Sequence, residues 1–168
     1  MSDLDPDADP ESVARTIALR LLEHAPRTRA ELASAMARRG VPAEAAETVL
    51  QRFADAGLID DAAFAQAWVD SRHSGRGLAR RALAAELRRK GIDDEVAADA
   101  LASVSADDET VAAQALVSRK LRTMRDLPRD VATRRLVGML GRKGFGSGLA
   151  YRVVAEALSD EAIAVSRS

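Results

Sequence analysis

The chain has 168 residues, 47% of them apolar, a formal net charge of −1 and no cysteine. That composition excludes a disulfide-stapled fold and any thiolate metal centre. With no run of 18 apolar residues and an acidic rather than basic-then-apolar N-terminus, it predicts a soluble cytoplasmic protein without a membrane span.

Residues 1–11 carry five acids (Asp3, Asp5, Asp7, Asp9, Glu11), no base and two prolines, and read as a disordered tail. A helix is predicted from Ser12 to about Ala25, with Val13, Ile17, Leu21 and Leu22 at helical spacing and Pro26 as its stop. Thr28 with Glu31 is a capping box that opens a second helix, which ends at Gly40. A third begins near Pro42 and ends near Ala56-Gly57. Asp60-Asp61 is expected to cap a helix through Phe64, Trp68 and Ser71, with a break at Gly75-Arg76-Gly77. Further helices are predicted over Leu78–Lys90, from the Asp93 cap to about Val104, from Asp107 to about Arg125, over Pro128–Lys143 and over Ser147–Leu158.

Three of these helices close on the same letters: Arg38-Arg39-Gly40-Val41, Arg89-Lys90-Gly91-Ile92 and Arg142-Lys143-Gly144-Phe145, the glycines 51 and 53 residues apart. A leucine lies eight residues before each glycine (Leu32, Leu83, Leu136) and a long apolar residue four before it (Met36, Leu87, Leu140). An alanine lies six after it (Ala46, Ala97, Ala150) and a branched aliphatic ten after it (Leu50, Leu101, Val154). Positions −8, −4, +1, +5 and +10 are expected to form the buried face. A period near 50 residues is the mark of stacked repeats. The prediction is an all-α chain of three tandem three-helix repeats forming an elongated curved array. Its domains are a tail over 1–11, repeats over 12–58, 59–105 and 106–159, and a frayed end over 160–168.

The net charge conceals a segregation. Without residues 1–11 the chain holds 25 basic residues against 21 acidic ones. Ser71–Ile92 has seven bases against Glu86 alone, and Arg119–Lys143 has nine against Asp126 and Asp130. Cations in the last turn of a helix complement its dipole, which gives the three basic-basic-glycine ends a structural role. Arg80 and Arg81 stand near a predicted helix start, where that logic runs the other way and a phosphate partner becomes attractive. The candidate binding residues are Arg72, Arg76, Arg80, Arg81, Arg88, Arg89, Lys90, Arg134, Arg135, Arg142 and Lys143. Aromatics do not interleave with these bases, so stacking readout of single strands is not expected.

No catalytic or metal site is legible, and no cofactor is expected. His24 and His73 are far apart with no partner ligand nearby. Gly144-Phe145-Gly146-Ser147-Gly148 lacks phosphate-loop spacing and follows a helix, not a strand. Asp60-Asp61, Asp93-Asp94 and Asp107-Asp108 stand at helix starts, where carboxylates cap amides.

The run Gly57-Leu58-Ile59-Asp60-Asp61-Ala62-Ala63-Phe64-Ala65, then Trp68-Val69 and Ser71-Arg72, leads into Gly75-Arg76-Gly77, Glu86-Leu87 and Lys90-Gly91-Ile92. This stretch resembles the RecX family of regulatory proteins, which are built of three tandem three-helix repeats, and the resemblance covers about residues 12–158. It implies a monomeric modulator, usually an inhibitor, of the bacterial RecA recombinase. Such a protein lies along the groove of the RecA–DNA filament and also binds single- and double-stranded DNA. Of the matching residues, Phe64, Trp68, Leu87 and Ile92 fall on apolar faces and are expected in the core, whereas Arg72, Arg76 and Lys90 are the better functional candidates. Two other readings are a winged-helix transcription regulator, from Glu31 to Asp60, and a helical scaffold that binds only protein. A wing would require a hairpin where Phe64–Val69 is predicted to be helix.

Overall fold

The computed structural model describes residues 7–168, so Asp3 and Asp5 of the expected tail lie outside the described residues. The described residues form nine helices and no strand: α1 Pro10–His24, α2 Arg29–Arg38, α3 Ala43–Asp55, α4 Asp61–Arg76, α5 Arg80–Arg89, α6 Asp94–Leu101, α7 Ala106–Leu121, α8 Arg129–Arg142 and α9 Ser147–Ser166. They fall into three successive triplets, and none of them is long and apolar enough to cross a membrane.

Several helix limits differ from the sequence expectation: α5 starts at Arg80 rather than Leu78, α6 ends at Leu101 rather than near Val104, and α7 ends at Leu121 rather than near Arg125. α1 starts two residues early, at Pro10, because the Asp9 carboxylate accepts from the Ser12 amide at 3.1 Å and proline suits the first helical turn. Glu11 is therefore helical and pairs with Arg52 at 2.8 Å. α4 does not break at Gly75 but runs through it to Arg76, and the chain leaves the helix at Gly77, where φ is +62°. α9 continues to Ser166, since nothing after Leu158 is a helix breaker and Ala162, Ile163, Ala164 and Val165 carry it on.

The periodic positions are where the core forms. Leu32, Leu83 and Leu136 are fully buried, as are Met36, Leu87 and Leu140, and Val41, Ile92 and Phe145 are nearly so. The register beyond the glycine needs correction: the +5 residues Ala45, Val96 and Leu149 are only half-buried, and so is Leu101 at +10. The buried face uses +6 (Ala46, Ala97, Ala150) and +9 (Val49, Ala100, Val153) instead. Removing one of the buried leucines to alanine costs about 2–5 kcal/mol in such a setting.

Packing divides the chain into two compact units that do not follow the triplets. One holds the described residues up to Ala67 together with Leu87–Ala97, and the other holds Trp68–Glu86 with Ala98–Ser168. The reason lies in a joint that occurs once in each unit. In the first, Thr28, the N-cap of α2, donates its hydroxyl to the Lys90 carbonyl at 2.7 Å, and the Arg29 amide donates to Asp61 Oδ1 at 3.0 Å. In the second, the Ala79 amide donates to the Lys143 carbonyl at 3.0 Å, and the Arg80 amide donates to Glu109 Oε1 at 2.8 Å. Thr28 and Ala79 precede their repeat glycines by the same twelve residues, and Arg29 and Arg80 by eleven. The start of a repeat's second helix is thus held by two parts of the following repeat. One is the carbonyl before its glycine and the other is a carboxylate on its first helix, satisfying amides that would otherwise lack partners.

Candidate functional site

Most of the candidate bases stand at or beside helix ends, whereas Arg72, Arg134 and Arg135 lie within α4 and α8. Arg72 lies on α4 one turn after Trp68, and its guanidinium carbon sits 4.3 Å from the centre of the indole ring. The indole N–H donates to Glu86 Oε2 at 2.8 Å. Trp68 is half-buried, with its edge on a carboxylate and its face under a cation, so the expectation of a core tryptophan is corrected. The sequence signal was available: residues four apart meet on a helix.

Arg76 ends α4, and its carbonyl accepts from Lys143 Nζ at 3.2 Å. That bond and the Ala79–Lys143 backbone bond bring the end of α4, the start of α5 and the end of α8 together in one unit. Arg76, Arg80 and Lys143 are accordingly neighbours. Arg80 is less available than its position suggested. Its side chain lies 3.4 Å from Glu109, whose carboxylate also takes the Arg80 amide, so the cation at a positive helix end is balanced within the fold. Sequence reasoning missed Glu109 because it is 29 residues away.

Arg76, Arg81, Arg134, Arg135 and Arg142 are exposed. None of their side chains forms a hydrogen bond or ion pair with another described residue. Arg135 and Arg142, two turns apart, share a face of α8.

Arg88, Arg89 and Lys90 belong to the other compact unit. Arg88 is solvent-exposed and 4.0 Å from Asp94, a pairing of little energetic weight. Lys90 is engaged in the joint, with Nζ 2.7 Å from Glu31 Oε1, while Glu31 Oε2 accepts from the Thr28 amide at 3.1 Å. Burial pushes the Glu31 carboxyl up. Hydrogen bonds from Lys90 and the Thr28 amide, together with the Lys90 and Arg27 charges, outweigh it and hold the group below its ordinary value.

The histidines bond backbone: Arg20 and Leu78 carbonyls accept from Nδ1 of His24 and His73 at 2.8 and 2.9 Å. Among the described residues no three carboxylates or imidazoles gather as a metal site. The Asp pairs divide their work: Asp60 caps α4 through the Ala63 amide at 3.0 Å, while Asp61 caps α2. Where a winged helix would need a hairpin after Ile59-Asp60, the chain forms α4.

Residues 14–53, 60–101 and 107–154 match the first, second and third three-helix domains of RecX respectively. The chain is 55% identical over 157 residues to the regulatory protein RecX of Streptomyces coelicolor, spanning 94% of this chain and 84% of that one. It is 54% identical over 152 residues to the regulatory protein RecX of Thermobifida fusca, spanning 90% and 82%. Its fold matches the crystal structure of RecX from Lactobacillus salivarius with a TM-score of 0.77 at 23% identity, over 88% of this chain and 96% of that one.

Proposed function

The chain belongs to the RecX family of regulatory proteins, and from that premise we propose that it binds the RecA recombinase filament on DNA. There it lowers ATP hydrolysis, strand exchange and the coprotease activity of the filament. It acts in the cytoplasm as a monomer, as a binding protein and not as a catalyst. It also binds single- and double-stranded DNA through phosphates with little regard to sequence.

The observation that carries the reading is the set of exposed arginines in the second unit, Arg76, Arg81, Arg134, Arg135 and Arg142, which lack carboxylate partners among the described residues. Guanidinium groups held on helices and left unneutralised suit phosphate oxygens, which they meet in bidentate fashion. A filament groove presents phosphate and protein side by side, so several weak contacts along one chain add through effective concentration. Arg80 and Lys90 contribute chiefly to the joints, which makes Arg76, Arg81 and Arg142 the better residues to test.

The test is DNA-dependent ATP hydrolysis by the cognate recombinase, titrated with this protein well below one copy per recombinase and with DNA in excess. Inhibition that persists under those conditions and is lost in the Arg76→Glu/Arg81→Glu/Arg142→Glu variant supports filament capture. An effect cured by adding DNA would leave only non-specific DNA binding, and no effect with DNA affinity absent would favour a protein scaffold.

A further inference from the structure

We propose that the first compact unit carries a second anion site, a cleft between α2 and the α5–α6 turn that takes phosphodiester groups. The cleft has a volume of about 470 Å³ and is lined by Arg27, Arg38, Arg89 and Lys90, with Ser34 as a further donor and Glu31 as the one acid among the described lining residues. Glu31 is already committed: Lys90 Nζ and the Thr28 amide occupy its two oxygens. Lys90 is correspondingly neutralised, leaving three arginines bordering a cleft with no free carboxylate among its described lining residues.

Two features point to a ligand. Arg27 Nε is buried without a hydrogen-bond partner. A buried donor without an acceptor is destabilising unless something supplies one. Arg38 and Arg89 form no side-chain hydrogen bond or ion pair with any described residue. Both sit in last helical turns, where dipole complementation accounts for one cation apiece but not for their convergence with Arg27.

The shape favours a nucleic-acid backbone over an acidic peptide. Apart from Leu21 the apolar lining is small, Ala30, Ala35 and Gly91, a poor anchor for a peptide's large side chains, whereas a phosphodiester needs only charge and donors. Only the identity of the anion rests on the DNA reading proposed above. Arg27 and Arg38 lie outside the basic stretches evident in the sequence, one before α2 and one at its end, and only the fold brings them beside Arg89.

The experiment follows the side-chain Nε–Hε resonances of the full-length protein by NMR, titrated separately with an eight-nucleotide oligothymidylate, inorganic pyrophosphate and hexaglutamate. Arg27 and Arg89 signals should shift saturably with the oligonucleotide. Each single-strand phosphate contact contributes about 0.7 log units at roughly 0.1 M salt, so Arg38→Gln/Arg89→Gln should weaken the affinity read at Arg27 by about 25-fold with an unchanged melting temperature. Oligonucleotide binding elsewhere with a silent Arg27 overturns the cleft and spares the function proposed above. Arg27 shifts with pyrophosphate while no oligonucleotide binds anywhere would support an anion site and sink the DNA reading instead. Hexaglutamate binding more tightly than the oligonucleotide would overturn the phosphodiester assignment.

Discussion

The Thr28 hydroxyl donates to the carbonyl oxygen of Lys90, 62 residues further along the chain, at 2.7 Å, while Thr28 Oγ1 itself accepts from the Glu31 amide at 3.2 Å. Thr28 is fully buried. One side chain therefore caps a helix and fastens the next repeat to it. Thr28→Val keeps the shape but loses the cap and strands a buried carbonyl, for a combined loss of about 2–3 kcal/mol. Thr28→Ser should recover most of it, as read by thermal or denaturant unfolding. Equal melting of the valine and serine variants would show that the hydroxyl contributes nothing.

Gly40 and Gly91 hold equivalent places with nearly equal φ, +79° and +77°, yet differ in surroundings. A β-carbon on Gly40 meets nothing within 4 Å, whereas one on Gly91 would overlap the Ala30 β-carbon. Gly144 repeats the second case, 2.6 Å from the Ala82 amide nitrogen. Gly40→Ala should cost about 1 kcal/mol, the strain of a left-handed alanine. Gly91→Ala adds forced separation of two packed backbones, for about 3 kcal/mol or more. Similar losses at both positions would mean that the close approach to α2 is unimportant.

Because Glu31 ionises below its ordinary value when folded, its pairing stabilises the protein fully above the unfolded carboxyl value. That stabilisation fades as pH falls through the folded one. Stability should decline between about pH 5 and pH 3, where carboxyls titrate. Glu31→Gln should lower stability at pH 7 and make that acid limb shallower. An identical limb in the variant would remove Glu31 as its source.

The spacing of Leu32, Leu83 and Leu136 from their glycines made the three triplets legible, because a helix writes its buried face at fixed intervals. The Thr28–Glu31 capping box was legible for the same reason: both partners lie within one turn. For Arg80 and Lys90, what the sequence hid was a partner at long range. Glu109 neutralises Arg80 from 29 residues away, and Lys90, which read as a functional cation, is spent on Glu31 59 residues earlier. Gly75 read as a break because local propensity disfavours it in a helix, yet α4 passes through it. Periodicity says which face is buried and is silent about what covers it.

Trp68 is the sole tryptophan, so its fluorescence isolates the Arg72 contact. Arg72→Ala should change emission and cost about 0.5–1 kcal/mol, the strength of a half-exposed cation–π pair. If Arg72 also meets DNA phosphate, titration with single strands should alter the emission of the unmodified protein and leave that of the variant flat. An unresponsive indole in the unmodified protein, with DNA demonstrably bound, would assign Arg72 to structure alone.

DNA affinity should be sequence-tolerant and governed by salt. If roughly four to six guanidinium and ammonium groups meet phosphates, log K on single strands falls with log salt at a slope near −3 to −4, at about −0.7 per contact. Arg76, Arg81 and Arg142 are exposed and have no acid among the described residues to release before they bind. Their joint replacement by glutamate should therefore remove about three contacts and flatten the slope by about 2. Arg80→Gln should change it far less, because that side chain is already held by Glu109. A slope unmoved by the triple variant would shift the DNA surface to other bases of Arg119–Lys143, and a loss of about 0.7 with Arg80 alone would mean that Glu109 releases it on binding.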